Sequence, residues 1–282
     1  MTTVYTASAF SKNNHGGNKA GVVINEPGLD NWKKMELAGR LGYSETAFLT
    51  HSEEADFKLE YFTPTEEVPL CGHATIATFT TLNHLDMLDR PNYTIETKSG
   101  ILNISIRNDG LIFMEQNPPA FYDVLDPSHL ETCFDTQSLD RTFPVQIVST
   151  GLRDILVPID TPAHLQGLGP HFDAISALSR QENVVGIHAF ALINKDHLTA
   201  VCRNFAPLYG IDEESATGTS NCALACYLFH YGLRQNQYIF EQGHNLNNIS
   251  QIIVNIGSEG NTVTNVSAGG YGYLVSREVF DL

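Results

Sequence analysis

Apolar and polar residues alternate along most of this chain, with the period expected of half-buried strands. Phe57, Leu59 and Tyr61 mark one strand, and Ile101 to Ile106 and Leu111 to Met114 mark two more, with Asn108-Asp109-Gly110 between them as a hairpin turn. In the second half, Ala189 to Ile193 and Leu198 to Phe205 flank Asn194-Lys195-Asp196, a second predicted hairpin. Residues 252–256, 263–266 and 271–275 supply closing strands. Two amphipathic stretches, about Asp30 to Leu41 and Asp173 to Gln181, predict helices that each precede a strand. Residues 74–86 and 220–231 are of another kind. They are small or apolar around nearly the whole circumference, which predicts helices buried at the centre of something larger.

The two halves repeat one another. Phe62-Thr63-Pro64 leads to Leu70-Cys71-Gly72-His73-Ala74 and a buried helix, and Phe205-Ala206-Pro207 leads to Ala216-Thr217-Gly218-Thr219-Ser220 and another. Upstream, Ala47-Phe48-Leu49 answers Ala189-Phe190-Ala191, an alignment that sets Ile187 opposite Glu45. The expected fold is α+β, with two similar domains, each a curved, mostly antiparallel sheet or barrel wrapped around a central helix. Pro118-Pro119 and Asp126-Pro127 interrupt the strands, so the domains are expected at 1–122 and 123–282.

Composition narrows the partners. The 282 residues are 42% hydrophobic and 17% charged, which is globular, and 16 basic against 32 acidic side chains leave a net charge of −16. Such a surface repels phosphate backbones and anionic membranes, so neither nucleic acid nor membrane is expected as a partner. No stretch approaches the ~20 apolar residues of a membrane span. MTTVYTASAFSKNNHGG lacks the pattern of a signal peptide, and the five cysteines show no paired spacing; a cytoplasmic location is expected. Cys222 and Cys226, four apart in a helical stretch, read as small buried residues. The chain has neither a phosphate-binding glycine loop nor metal-ligand spacing, so no cofactor and no metal are expected.

Candidate chemistry gathers at the two helix starts, Cys71-Gly72-His73 and Thr217-Gly218-Thr219. A helix N-terminus offers unpaired N–H groups and the positive end of the dipole, and glycine lets a ligand approach the backbone. Two such ends facing each other across the domain boundary would bind a carboxylate.

Four segments stand out together: Gly17-Asn18-Lys19-Ala20-Gly21-Val22, Ser44-Glu45-Thr46-Ala47-Phe48, Phe62-Thr63-Pro64 through Thr75, and Gly210-Ile211 through Thr219. In this order they resemble the PhzF-like phenazine biosynthesis family, whose fold is that of diaminopimelate epimerase. Gly151-Leu152-Arg153-Asp154 and Glu241-Gln242-Gly243 match further positions. The resemblance implies a homodimer and a cofactor-independent isomerase that relocates a proton on a small carboxylic acid. It makes Glu45 the catalytic acid/base, a role that suits a carboxyl flanked by apolar Tyr43, Ala47 and Phe48. Asn18, Gly72, His73, Glu214, Gly218 and Thr219 would bind substrate. Cys71 stands where epimerase relatives carry one of two thiols, and Thr217 replaces the other, which disfavours a two-thiol racemase. Glu214 replaces a usual aspartate, Ser215 a proline and Thr219 a serine. The competing expectations are an amino-acid racemase or epimerase using Glu45 and Cys71, and a non-catalytic carboxylate-binding protein.

Overall fold

The computed structural model describes every residue except Pro27, Asp196 and Leu282. It separates into one compact unit formed by Met1–Glu115 with Gly269–Leu282, and a second formed by Gln116–Ala268. The division after residue 115 lies close to the sequence boundary. The return of the last residues to the first unit differs from the expected 123–282 domain. Its cause is the final strand, which pairs antiparallel with the N-terminal one from Thr2↔Phe280 to Ser11↔Tyr271.

The first unit contains β1 (Thr2–Ser11), β2 (Asn18–Ile24), α1 (Asn31–Leu41), β3 (Thr46–Thr50), β4 (Phe57–Phe62), β5 (Glu67–Val68), α2 (Gly72–His84), β6 (Asn92–Thr97), β7 (Gly100–Ile106) and most of β8 (Ile112–Gln116). β1 pairs antiparallel with β2, β2 runs parallel to β3, β3 is antiparallel to β4, and β4 is parallel to β6. β6–β7 and β7–β8 are antiparallel, and β8 and β1 both pair with the last strand, so the pairing closes on itself as a barrel. α2 lies against β1, β2 and β3. Its buried residues run without a break from His73 to Leu82, which is the all-round burial its composition predicts. Thr75, Thr78 and Thr81 tolerate that burial because each hydroxyl donates to a helix carbonyl four residues back. The other face of the sheet carries α1, whose Leu37 and Ala38 pack with Val4, Val23, Phe48 and Phe62.

The second unit contains β9 (Ala120–Val124), β10 (Gln146–Ser149), β11 (Arg153–Ile159), α3 (Pro162–Gly167), α4 (Phe172–Glu182), β12 (Gly186–Lys195), β13 (Leu198–Ala206), β14 (Ile211–Glu214), α5 (Gly218–His230), β15 (Gln237–Gln242), β16 (Ser250–Glu259) and the start of β17 (Thr262–Phe280). The pairing scheme recurs: β11 parallel to β12, β12 antiparallel to β13, β13 parallel to β15. α5 lies against β10, β11 and β16 and is buried from Gly218 to Phe229. α3 and α4 contribute Leu165, Ile175 and Leu178 to a core with Ile187, Ala189 and Phe205.

Two local readings change, while the second predicted hairpin stands as the antiparallel pair β12 and β13. The segments 263–266 and 271–275 are one strand of 19 residues, because Gly269 and Gly270 do not break it; they leave room for the rings of Phe113 and Phe10. α3 was not read from the sequence, although Thr161 caps it and Pro162 opens it. Asn194 and Lys195 end β12, while Asp196 of the predicted hairpin lies outside the described residues.

Candidate active site

Glu45 enters the first unit just ahead of β3. Gly42, at φ 70°, ends α1 in the left-handed conformation, and the short turn through Tyr43 and Ser44 delivers Glu45 to the strand start. Cys71 is the extended N-cap residue of α2, and its side chain makes no capping bond. The first-turn N–H groups of α2 thus receive no acceptor from the cap. His73 sits one residue into the helix. Its Nε2 lies 3.2 Å from Glu45 Oε2, with side chains only 10% and 16% exposed. Oε2 is buried and off the direction of a good hydrogen bond, so the pair is an ionic contact rather than an aligned bond. Cys71 Sγ lies 3.5 Å from His73 Nδ1 and 3.9 Å from Nε2. One ligand atom from each of Glu45, Cys71 and His73 fits within 4.8 Å.

Below this cluster the helix start is pinned. Thr75 Oγ1 donates to Cys71 O at 2.7 Å and pairs with Tyr61 Oη at 2.6 Å. Burial pushes the Tyr61 phenol far above its ordinary value, so it stays neutral. Asn18 is buried at the start of β2, the strand parallel to β3. Gly17 before it must be glycine: φ is 85° and a Cβ would stand 2.4 Å from Ala9 O.

The second unit builds its helix start differently. Thr217 is the extended N-cap, again without a capping side-chain bond. Its Oγ1 accepts from Gln242 Nε2 at 2.8 Å, and the same amide donates to Glu214 O. Asn221 Nδ2 donates to Thr217 O and to Gln242 Oε1. Thr219 Oγ1 donates to Gln116 Oε1 at 3.0 Å, and Thr150 Oγ1 donates to Thr219 O. Glu214 closes β14, whose neighbouring Glu213 is held by a two-pronged bond from buried Arg203. Deeper, Ser220 Oγ donates to Asp154 Oδ2 at 2.7 Å, and Asn204 Nδ2 reaches Ser220 Oγ and His188 Nδ1.

The structure therefore joins Glu45, Cys71 and His73 into one cluster and places Glu214, Gly218 and Thr219 about a second helix start. Gln242, Asn221 and Gln116 were missed as members, although Glu241-Gln242-Gly243 carried a family signal. One reading is corrected. Strand register matches Thr46↔Phe62 with Ile187↔Phe205, so the counterpart of Glu45 is Gly186 rather than Ile187. A side chain cannot stand there, since a Cβ at Gly186 would meet Phe205 O at 1.9 Å. Linear spacing does not show the proximity of Glu45 to Cys71 and His73, because Glu45 comes from the segment ahead of β3.

This α+β architecture, with a closed barrel and sheets around buried helices, is the fold of PhzF-family and epimerase-like proteins. The chain belongs to the phenazine biosynthesis-like protein family, PhzC-PhzF, whose model matches residues 7–277. An uncharacterised isomerase of Clostridium acetobutylicum is 34% identical over 241 residues, covering 82% of this chain and 80% of the relative. The crystal structure of a PhzF-family phenazine biosynthesis protein from Bacillus anthracis superposes with a TM-score of 0.91 at 27% identity, covering 99% of each chain. A predicted epimerase of Pseudomonas aeruginosa shares the fold at a TM-score of 0.81 and 23% identity, covering 99% of each chain. These likenesses support a general isomerase or epimerase function.

Proposed function

We propose that this chain is an isomerase that relocates a proton on a small carboxylic acid, with Glu45 as the proton carrier. The observation that carries the reading is the Glu45–His73 contact at 3.2 Å beside the start of α2, which its N-cap side chain does not cap. Glu45 takes a proton from a substrate carbon and returns it to another, and His73 fixes the carboxylate between the two steps. The first-turn N–H groups of α2 suit the substrate's carboxylate. Asn18, Gly72, His73, Glu214, Gly218 and Thr219 are its binding residues in this reading, which invokes no cofactor. Assembly as a homodimer is part of the same proposal and rests on the family.

Separation favours a shuttle on one face over a two-base racemase built from Glu45 and Cys71. Bases on opposite faces of a carbon, each at a reactive distance of about 3–3.5 Å, stand roughly 6–7 Å apart. The ligand atoms of Glu45 and Cys71 lie within 4.8 Å. The test is solvent-deuterium incorporation into a panel of cyclic and unsaturated carboxylic acids. Glu45→Gln keeps the side chain's size but removes its transferable proton, so exchange should fall by ~10²–10⁴-fold. Cys71→Ser should be much milder. Exchange at the wild-type rate in Glu45→Gln would move the proton carrier elsewhere, and equal loss in both variants would restore the two-base reading.

A further inference from the structure

Glu45, Cys71 and His73 offer a carboxylate oxygen, a thiol sulfur and an imidazole nitrogen, the donor types that Zn²⁺ and its thiophilic relatives select. A tetrahedral zinc ion, with bonds of about 2.0–2.2 Å to N and O and about 2.3 Å to S, holds its N and O ligands about 3.3 Å apart and its N and S ligands about 3.5 Å apart. His73 Nε2 lies 3.2 Å from Glu45 Oε2 and 3.9 Å from Cys71 Sγ. The Glu45–His73 edge already fits, and the three donor atoms, all within 4.8 Å of one another, would draw in to edges of about 3.3–3.6 Å on binding an ion.

Charge and satisfaction point the same way. Glu45 Oε2 is buried and has no aligned hydrogen-bond partner among the described residues. A divalent ion would satisfy it and neutralise one carboxylate and one thiolate together. A net charge of −16 on the chain draws cations rather than repelling them.

We infer that Glu45, Cys71 and His73 form a three-ligand site for a thiophilic divalent cation, and that its occupation inhibits the enzyme. The inhibitory clause rests on the proton-transfer reading of the same residues. A bound ion occupies the carboxylate lone pairs that would receive the substrate's proton. A fourth position is left for water or a carboxylate, as in open three-ligand sites.

Cobalt(II) titration of the purified full chain tests the site without reference to activity. A near-ultraviolet thiolate-to-cobalt charge-transfer band should appear, saturate at one equivalent and vanish when Zn²⁺ is added. Cys71→Ser should abolish the band, and Glu45→Gln and His73→Ala should each weaken cobalt affinity at least tenfold. A band that survives in Cys71→Ser, or no band in the wild-type chain, overturns the site. A measurement on the wild-type chain alone guards against misfolded variants: Zn²⁺ should protect Cys71 from alkylation as mapped by mass spectrometry, and lack of protection counts against the site. Zn²⁺ should stop deuterium exchange, and chelator alone should leave it intact; loss of exchange on chelation overturns inhibition in favour of a required ion. If Glu45→Gln exchanges normally, the inhibitory clause falls with the proton-transfer reading. The cobalt spectrum still decides the site.

Discussion

Asp154 and His188 belong to one network of the second unit, linked through Ser220 and Asn204, and burial acts on them in opposite senses. Asp154 Oδ1 and His188 Nε2 are both buried without a hydrogen-bond partner among the described residues. Desolvation pushes the carboxyl up to about 7, opposed by the Ser220 hydroxyl, and pushes the imidazole down to about 4. Between about pH 4 and 7 the folded chain holds a proton on Asp154 that the unfolded chain releases, so this group costs stability as pH rises. Between about pH 4 and 6.5 the unfolded chain protonates His188 and the folded chain does not, so this group adds stability as pH rises. The two slopes oppose each other over the shared window. Asp154→Asn removes the first. Relative to the wild type, the variant should therefore gain on the order of 3 kcal/mol between pH 4 and 6.5. At pH 8 it should exceed the wild type by up to ~4 kcal/mol. Urea unfolding at several pH values measures both, and parallel profiles for the two chains would remove this account of the network.

Among the elements, the paired helices separate what folding demands from what function demands. Gly72 opens α2 without a positive φ, and a Cβ there would meet only the Met114 methyl at 3.5 Å, an ordinary contact. No described contact requires glycine at this position; in the proposed reading it serves the close approach of a ligand to the backbone. Gly72→Ala should leave the melting midpoint unchanged or slightly higher. It should raise KM by ~10–100-fold, the loss of a hydrogen bond to a charged group. Gly186 is the converse: its neighbour is the Phe205 carbonyl itself, so β12 and β13 must part to admit a methyl group. Gly186→Ala should lower the midpoint by on the order of 5–10 °C in thermal unfolding, with heterogeneous activity in whatever remains folded. The sequence made the helices legible because all-round burial leaves a compositional mark, and the Gly42 and Asp30 caps mark the ends of α1. Short motifs singled out Glu45 and His73, which the structure sets 3.2 Å apart. The sequence hid the contacts of Asp154, His188, Asn204 and Ser220, since each sits on a different element and only strand register joins them. The slip that set Ile187 opposite Glu45 has the same origin: matching Ala-Phe pairs ignores the alternation of faces, and a one-residue shift inverts every side chain.

For the molecule as a whole, the repeat was readable from Phe-x-Pro and the buried helices, while the return of β17 to β1 was not. Glycines at 269 and 270 look like an interruption in one dimension and act as clearance for Phe113 and Phe10 in three. Net charge is a property of the whole chain, and it bears on the proposed substrate. With 32 acidic against 16 basic side chains, the protein repels a carboxylate at distance, although backbone N–H groups attract it at contact. The two effects differ in range. Raising salt from about 0.01 M to about 0.15 M shortens the Debye length from about 30 Å to about 8 Å. That screens distant acidic residues and leaves a contact of about 3 Å nearly untouched. KM for an anionic substrate should therefore fall, by roughly two- to fivefold, across this range, with kcat little changed. The neutral amide of the same acid should show no such dependence, which separates electrostatics from an effect of salt on the fold. This is the reverse of the salt dependence of an enzyme that steers its substrate with a basic surface. Initial rates at four or five ionic strengths decide the matter: a KM that rises with salt would mean that positive potential at the site reaches well beyond contact, and that the acidic residues lie too far away to matter.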